Sequence, residues 1–323
     1  MAVSDSPPGT AASRGRRSAR ISTIVGLVIG VVACGFVVKT LGSEWDRVRE
    51  ALADASPGFL VLGLLAASVG MTTIAAGWTD VLALLGAHVS RWRVIGWYYI
   101  GELGKYLPGG VWPVLGRGEL ARRGGVGRSV AYASVGLSLA TLYLAAAMTA
   151  LVFLPFSLAG GGHVGAEMLL LLLLPAGLLA LHPRVLDPFL ALARRATRRD
   201  LVIPVPPWRD TVAVVARYVP AWLFVAAATW CVARAVDPDA PVSRIAFAAV
   251  QSWIAGFAAV PVPAGAGVRE AVFIAASGLD PGLGATVAVA TRVLFIIADG
   301  GGAAVAAPLL RRHRRPAEPP PPI

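Results

Sequence analysis

Charge is scarce in this sequence. Only 15% of the 323 residues are Asp, Glu, Lys or Arg, 56% are apolar, and the mean hydropathy is +0.69. Soluble globular domains carry about 25% charged residues. A chain of this length has too few charges here to cover a wetted surface, so the composition excludes a soluble protein and implies an integral membrane one. Cysteine is almost missing: Cys34 and Cys231 both lie in apolar runs, which excludes a disulfide framework. His88, His163, His182 and His313 are scattered, with no HExxH and no Cys/His metal spacing, so no metal and no cofactor are expected. No GxxxxGK[ST] loop and no GxSxG turn occur, which excludes an ATP-driven pump or a serine hydrolase of the common kinds. No catalytic residue is assigned. The sequence points away from an enzyme.

What is present is hydrophobic length. A spanning helix needs about 20 apolar residues, at about 1.5 Å of rise each across a ~30 Å core. Six segments qualify: 21–41, 57–87, 129–158, 163–182, 210–236 and 282–310. Two further apolar stretches, 94–119 and 244–277, are broken in the middle by Pro108-Gly109-Gly110 and by Pro261-Val262-Pro263-Ala264-Gly265. Proline removes a backbone donor and clashes with the preceding turn. Broken backbone at membrane depth is tolerated only inside protein or along a wet cavity. Both stretches are therefore expected as re-entrant helical hairpins, with an ordinary Pro-kinked span as the alternative. The fold class expected is an all-α polytopic membrane protein of six transmembrane helices and two re-entrant hairpins. Residues 1–20 and 311–323 are basic or Pro-rich tails around one membrane domain, 21–310.

The net charge is +11, but the basic residues sit at the ends of apolar segments, which speaks for membrane orientation rather than nucleic acid. Residues 1–20, 88–128, 183–209 and 311–323 are rich in arginine, while 42–56, 159–162 and 237–241 are acidic or uncharged. These alternate if six helices cross and two hairpins do not, placing both termini in the cytoplasm. The sequence Val31-Val32-Ala33-Cys34 after an Arg-rich start also has the look of a cleaved signal, but losing 21–41 would break the following repeat. Span, span, broken hairpin, span describes both 21–158 and 163–310, and Trp97, Gly101, Pro108 and Arg117 find counterparts in Trp253, Gly256, Pro263 and Arg269. Three crossings per half invert the second copy relative to the first. Inverted repeats with interrupted helices in matching positions are the pattern of a transporter site near the midplane.

Ionisable side chains inside a membrane are costly and need partners, water or a ligand. The candidates for substrate binding lie in the hairpins: Lys105, Tyr106, Gly109, Trp112, Arg117 and Glu119 in the first, Gly265, Gly267, Arg269 and Glu270 in the second. Glycines admit a close approach of backbone, a half-helix N-terminus attracts an anion, and guanidinium groups suit phosphate. An alternative purely structural use pairs Arg117 with Glu119 and Arg269 with Glu270. Glu102, Arg217, Arg292 and Asp299 make up an expected intramembrane charge network. Arg292 and Asp299 share a helix face two turns apart, each calling for a partner elsewhere; Arg217 is expected to meet Asp299. Gly300-Gly301-Gly302 is expected to serve helix packing. Trp92, Trp97, Tyr98, Tyr99, Tyr106 and Trp112 are expected mostly as an interfacial belt.

At GELGKYLPGGVWPVLGR (101–117) and PVPAGAGVREAVF (261–273) the chain resembles the transmembrane, flippase-like domain of the lysylphosphatidylglycerol synthase family, over about 20–310. The family's Gly-Lys-Tyr-aliphatic-Pro-Gly segment matches Gly104 to Gly109, its following Trp and Arg match Trp112 and Arg117, and its Gly-Val-Arg-Glu segment matches Gly267 to Glu270. The resemblance implies translocation of an aminoacylated phospholipid, or of another lipid-linked substrate in stand-alone members. No part of these residues matches the soluble transferase domain of the full synthases. The expected function is a flippase-like transporter of an anionic or lipid-linked amphiphile in the bacterial cytoplasmic membrane. The expected partners are membrane lipids and no nucleic acid. The alternative is a non-transporting subunit that anchors or regulates a glycosyltransferase or lipid-modifying enzyme. A third, an intramembrane transferase with Glu102 or Glu270 as base, ranks last.

Overall fold

The computed structural model describes residues 55–107, 111–159, 168–188, 203–259 and 267–312, with positions 49, 53, 191 and 265 besides. Among these residues the regular structure is entirely helical. In chain order the helices are α1 (Pro57–Leu84), α2 (Arg91–Glu102), a 3-10 turn (Leu103–Tyr106), α3 (Trp112–Arg123), α4 (Arg128–Ala159), α5 (Met168–Ala180), α6 (Trp208–Val236), α7 (Val242–Ala258), α8 (Val268–Ser277) and α9 (Pro281–Arg312).

Four of them are long and apolar enough to cross a membrane: α1, α4, α6 and the Pro281–Leu310 part of α9. They match the expected spans 57–87, 129–158, 210–236 and 282–310. The second span ends three residues early. There Gly86 adopts a left-handed φ of 78°, and the Gly86 and Ala87 N–H groups donate back to the carbonyls of Ala83 and Leu82, the hydrogen-bond pattern that closes a helix C-terminus on glycine. The expected span 21–41 and the tail 1–20 lie outside the described residues; of the expected tail 311–323, Arg311 and Arg312 end α9 and the rest lies outside them. Of the expected span 163–182, residues 163–167 lie outside the described residues, and the described helix is α5, 13 residues containing Pro175.

Each broken stretch is a pair of short helices packed on one another, α2 on α3 and α7 on α8. The first pair runs antiparallel: Gly101 lies against Gly116 and Arg117, and Gly104 lies against Trp112. The chain thus doubles back, rather than continuing as one kinked helix. Pro108–Gly110 and Pro261–Ala264 lie outside the described residues, and the preceding Leu107 is extended at φ −89° and ψ 146°.

The centre of the molecule is the contact between α1 and α6. Gly63, Gly70 and Gly77 recur every seven residues, close to two turns, and so share one face. A Cβ on Gly63 or Gly70 would stand 3.3 Å from the carbonyl oxygen of Ala228 or Ala221, and Gly77 lies beneath the Tyr218 ring. Close backbone approach of this kind replaces hydrophobic driving force where the surroundings are lipid. Around this pair, α4 packs on α7, and α9 packs on α2. Trp78 and Trp222, both fully buried, each donate their indole N–H to α4, at Ser134 Oγ (3.0 Å) and at the Leu142 carbonyl (2.8 Å).

Two packing expectations change. Trp92 is exposed and Trp112 partly so, but Trp97, Tyr98, Tyr99 and Tyr106 are buried; they form the core of the first hairpin instead of an interfacial belt. The hairpin folds its first arm between α1 and α9, which covers those rings. Of the three consecutive glycines, Gly302 receives the Tyr99 ring, whereas Gly300 and Gly301 have no side-chain neighbour among the described residues.

Candidate functional site

The two hairpins enclose one cavity of about 280 Å³, near the lower end of small-molecule pockets. Glu102, Lys105, Pro113 and Arg117 line it from the first hairpin, Trp253, Gly256, Gly265 and Arg269 from the second, and Leu139 and Tyr143 from α4. Val111 and Phe257, about half exposed, form an apolar lip.

The same local device positions both arginines. Gly101 on α2 leaves room for the backbone and Cγ of Arg117, and Gly256 on α7 leaves room for the side chain of Arg269. Gly265 approaches the Gly256 backbone so closely that a Cβ would come within 2.6 Å of the Gly256 Cα, and its φ of 65° suits glycine. The absence of side chains at these crossings lets the arms close and presents each guanidinium at the cavity.

Their surroundings differ. Arg117 is buried between the Tyr98 and Trp78 rings, 5.2 and 5.9 Å from their centres. Its Nε lies 4.0 Å from Glu102 Oε2 and donates to the Pro113 carbonyl at 3.4 Å. Arg269 rests on the Trp253 ring, 3.9 Å from its centre, an electrostatically favourable stack. No carboxylate lies within ion-pair distance of it among the described residues. Behind Trp253 a second space of about 20 Å³, lined by Ser252, Arg269, Glu270, Thr291 and Arg292, has room for one water.

Asp299, fully buried on α9, forms a 2.6 Å ion pair with Lys105 Nζ and accepts the Tyr106 hydroxyl at 2.7 Å. Lys105 also lies 3.5 Å from Glu102. Seven residues earlier Arg292 donates to Glu270 Oε1 at 2.8 Å. Asp299 and Arg292 thus each pair with a hairpin, one with the first and one with the second. Glu102, Arg292 and Asp299 belong to these pairs, and of the three Asp299 alone is fully buried.

Arg217 does not. It is 62% exposed and pairs with Asp80 at 3.5 Å, because the neighbouring Tyr218 points into the core, bonded to Ser138, and successive side chains turn about 100°. The expected Arg217–Asp299 contact is absent. The pairings Arg117–Glu119 and Arg269–Glu270 are absent too: residues two apart on a helix face roughly opposite ways and adjacent ones diverge by about 100°. Glu119 faces outward, bonded to Arg122 and Arg123 at 2.7 Å each, which hold its carboxyl down to about 2.

Among the other candidates, Lys105, Arg117, Gly265 and Arg269 line the cavity. Tyr106 is behind it on Asp299, and Trp112 begins α3. Gly267 precedes α8 and donates its N–H to Glu270 Oε2 at 2.6 Å, so this carboxylate already occupies the half-helix N-terminus where an anion was expected. Gly109 lies outside the described residues. Tyr143, Leu139 and Phe257 were not legible as lining. Tyr143 stacks on Phe257 at 3.9 Å, a contact between distant segments that no local motif announces. A search of curated proteins returns no significant match. Residues 23–300 match the family described as the lysylphosphatidylglycerol synthase TM region, and with nearly the whole chain covered, the protein belongs to that family.

Proposed function

We propose that this chain is a flippase-like transporter that passes the headgroup of an anionic, phosphate-bearing lipid through the cavity between its hairpins while the acyl chains stay in the bilayer. The observation that carries the reading is the charge of the cavity. Arg117 has Glu102 as counter-ion and Lys105 has Asp299, leaving the charge of Arg269 uncompensated at the wall. One excess positive charge suits a phosphodiester, which carries one negative charge. Guanidinium offers it a planar pair of donors, and the apolar lip at Val111 and Phe257 gives the attached chains a way out toward lipid.

In this reading the protein has six crossings and two re-entrant hairpins, arranged as inverted repeats in the bacterial cytoplasmic membrane with both termini on the cytoplasmic side. The exchanged packing of α4 on α7 and α9 on α2 supports two-fold pseudo-symmetry. Residues at the crossing of two such halves are reached alternately as the halves rock. No chemical step is needed, in keeping with a non-enzymatic role, and membrane lipids are the partners.

Reconstitution in liposomes tests this. Purified protein should move fluorescent phosphatidylglycerol between leaflets, measured by dithionite quenching, and Arg269→Ala should slow it at least tenfold while preserving the folded protein. Transport at the wild-type rate by Arg269→Ala would remove the cavity from the mechanism. No movement by wild type until another protein is added would favour the subunit reading.

A further inference from the structure

The pair Lys105–Asp299 joins the two halves at the back of the cavity, with Lys105 from the first hairpin and Asp299 from the last helix of the second half. Lys105 lines the cavity; Asp299 does not, and it is fully buried. The Lys105 amine and the Arg269 guanidinium both lie near the Trp253 ring, 5.8 and 3.9 Å from its centre, and both line the cavity. A phosphodiester has two unesterified oxygens and can reach for both cations, but one of them is already held by a carboxylate. Asp299 is in effect an internal anion occupying a place at the headgroup site.

From this competition we infer that binding of an anionic headgroup draws Lys105 away from Asp299 and that Asp299 takes up one proton in exchange. The inference rests on the headgroup reading above. Its physical basis is the cost of the alternative. A carboxylate with no exposure that loses its cation is an uncompensated buried charge, and such a group neutralises instead. The other groups facing it make this stronger. From α2, Glu102 adds a second negative charge, and Tyr98 and Tyr99 are neutral phenols. From the 3-10 turn, Tyr106 donates one hydrogen bond to Oδ2. On α9 itself Arg292 is committed to Glu270 on α8. From α1 and α6 no charged side chain pairs with it among the described residues; Asp80 and Arg217 pair with each other. Asp299 Oδ1 is buried with no partner among the described residues, so one oxygen is open to the proton. The balance is simple: Lys105 keeps its charge and changes counter-ion, the carboxylate becomes a carboxylic acid, and the proton comes from solvent. Opening the contact would also loosen one link between the halves, tying headgroup and proton to the rocking step.

Calorimetric titration of the detergent-solubilised full chain with dihexanoylphosphatidylglycerol tests this. Its phosphodiester does not titrate near neutral pH. Repeating the titration in buffers of different ionisation enthalpy counts the protons exchanged. The expected result is uptake of one proton per headgroup, with affinity falling up to tenfold per pH unit as pH rises. Asp299→Asn should bind without proton uptake and with a flat pH profile. Binding by wild type with no proton exchange would overturn the inference and leave the transport reading intact. No binding at any pH would overturn both. The wild-type proton count stands whether or not the Asn variant folds.

Discussion

The two hairpins solve one geometric problem and use the result differently. In each, a glycine on the first arm makes room for an arginine on the second. The residue after that glycine is Glu102 in the first hairpin and Phe257 in the second. The acid supplies Arg117 with a counter-ion among buried rings, so that its charge is spent on holding the hairpin. The aromatic leaves Arg269 stacked on the Trp253 face with no ion pair of its own among the described residues, and its charge stays open to the cavity. A single difference of residue type thus separates a structural arginine from one available to a ligand.

The comparison can be broken most severely at the glycines. Gly265→Ala puts a Cβ within 2.6 Å of the Gly256 Cα at a left-handed φ, where both backbones would have to move. Loss of folded protein in size-exclusion chromatography is expected, whereas Gly136→Ala, on α4 with open space around it, should keep it. Next in size is Arg117→Ala. Removing one partner of a buried ion pair costs about 3–5 kcal/mol, read as a large drop in thermal stability, with headgroup binding lost only because the fold is lost. Arg269→Ala should do the reverse, lowering binding at least tenfold with a small change in melting temperature. If the two variants behave alike, the asymmetry drawn here is wrong. A sharper version moves the acid: Phe257→Glu should give Arg269 a counter-ion and weaken anion binding, while Glu102→Gln should leave Arg117 less well compensated. The smallest effect belongs to Glu119→Gln. Bonding to Arg122 holds this carboxyl at about 2, below its unfolded value, so its contribution is present at neutral pH and fades only as the solution falls toward pH 2. The group is largely solvated, and at pH 7 the shift in melting temperature should lie within experimental scatter.

Much of the site was legible from residue type and spacing. Charged residues beside Pro/Gly breaks in an apolar sequence pointed to Lys105, Arg117 and Arg269, and all three line the cavity. The seven-residue spacing of Arg292 and Asp299 indicated separate partners, which are Glu270 and Lys105. The partners themselves were harder to read. Opposite sign at membrane depth suggests Arg217 for Asp299, but sign gives no rotation about a helix axis, and Tyr218 takes the inward position. The local pairs Arg117–Glu119 and Arg269–Glu270 failed for the same reason. The aromatic residues of the first hairpin could not be sorted into belt and core, since an indole or phenol suits either, and only the position of α2 between α1 and α9 decides.

The sequence by itself determined that the chain is a helical membrane protein, where four long apolar helices run, and that two broken apolar stretches each carry an arginine. These follow from one-dimensional quantities: hydropathy over a helix length, the missing N–H of proline, and charge too costly to leave alone in lipid. Which arginine is neutralised, which carboxylate Lys105 meets and which face of α6 turns inward were decided by tertiary structure. Ion pairing depends on distances of a few ångströms between segments nearly 200 residues apart. Only the packing of glycine faces and the docking of the broken stretches against the long helices sets those distances.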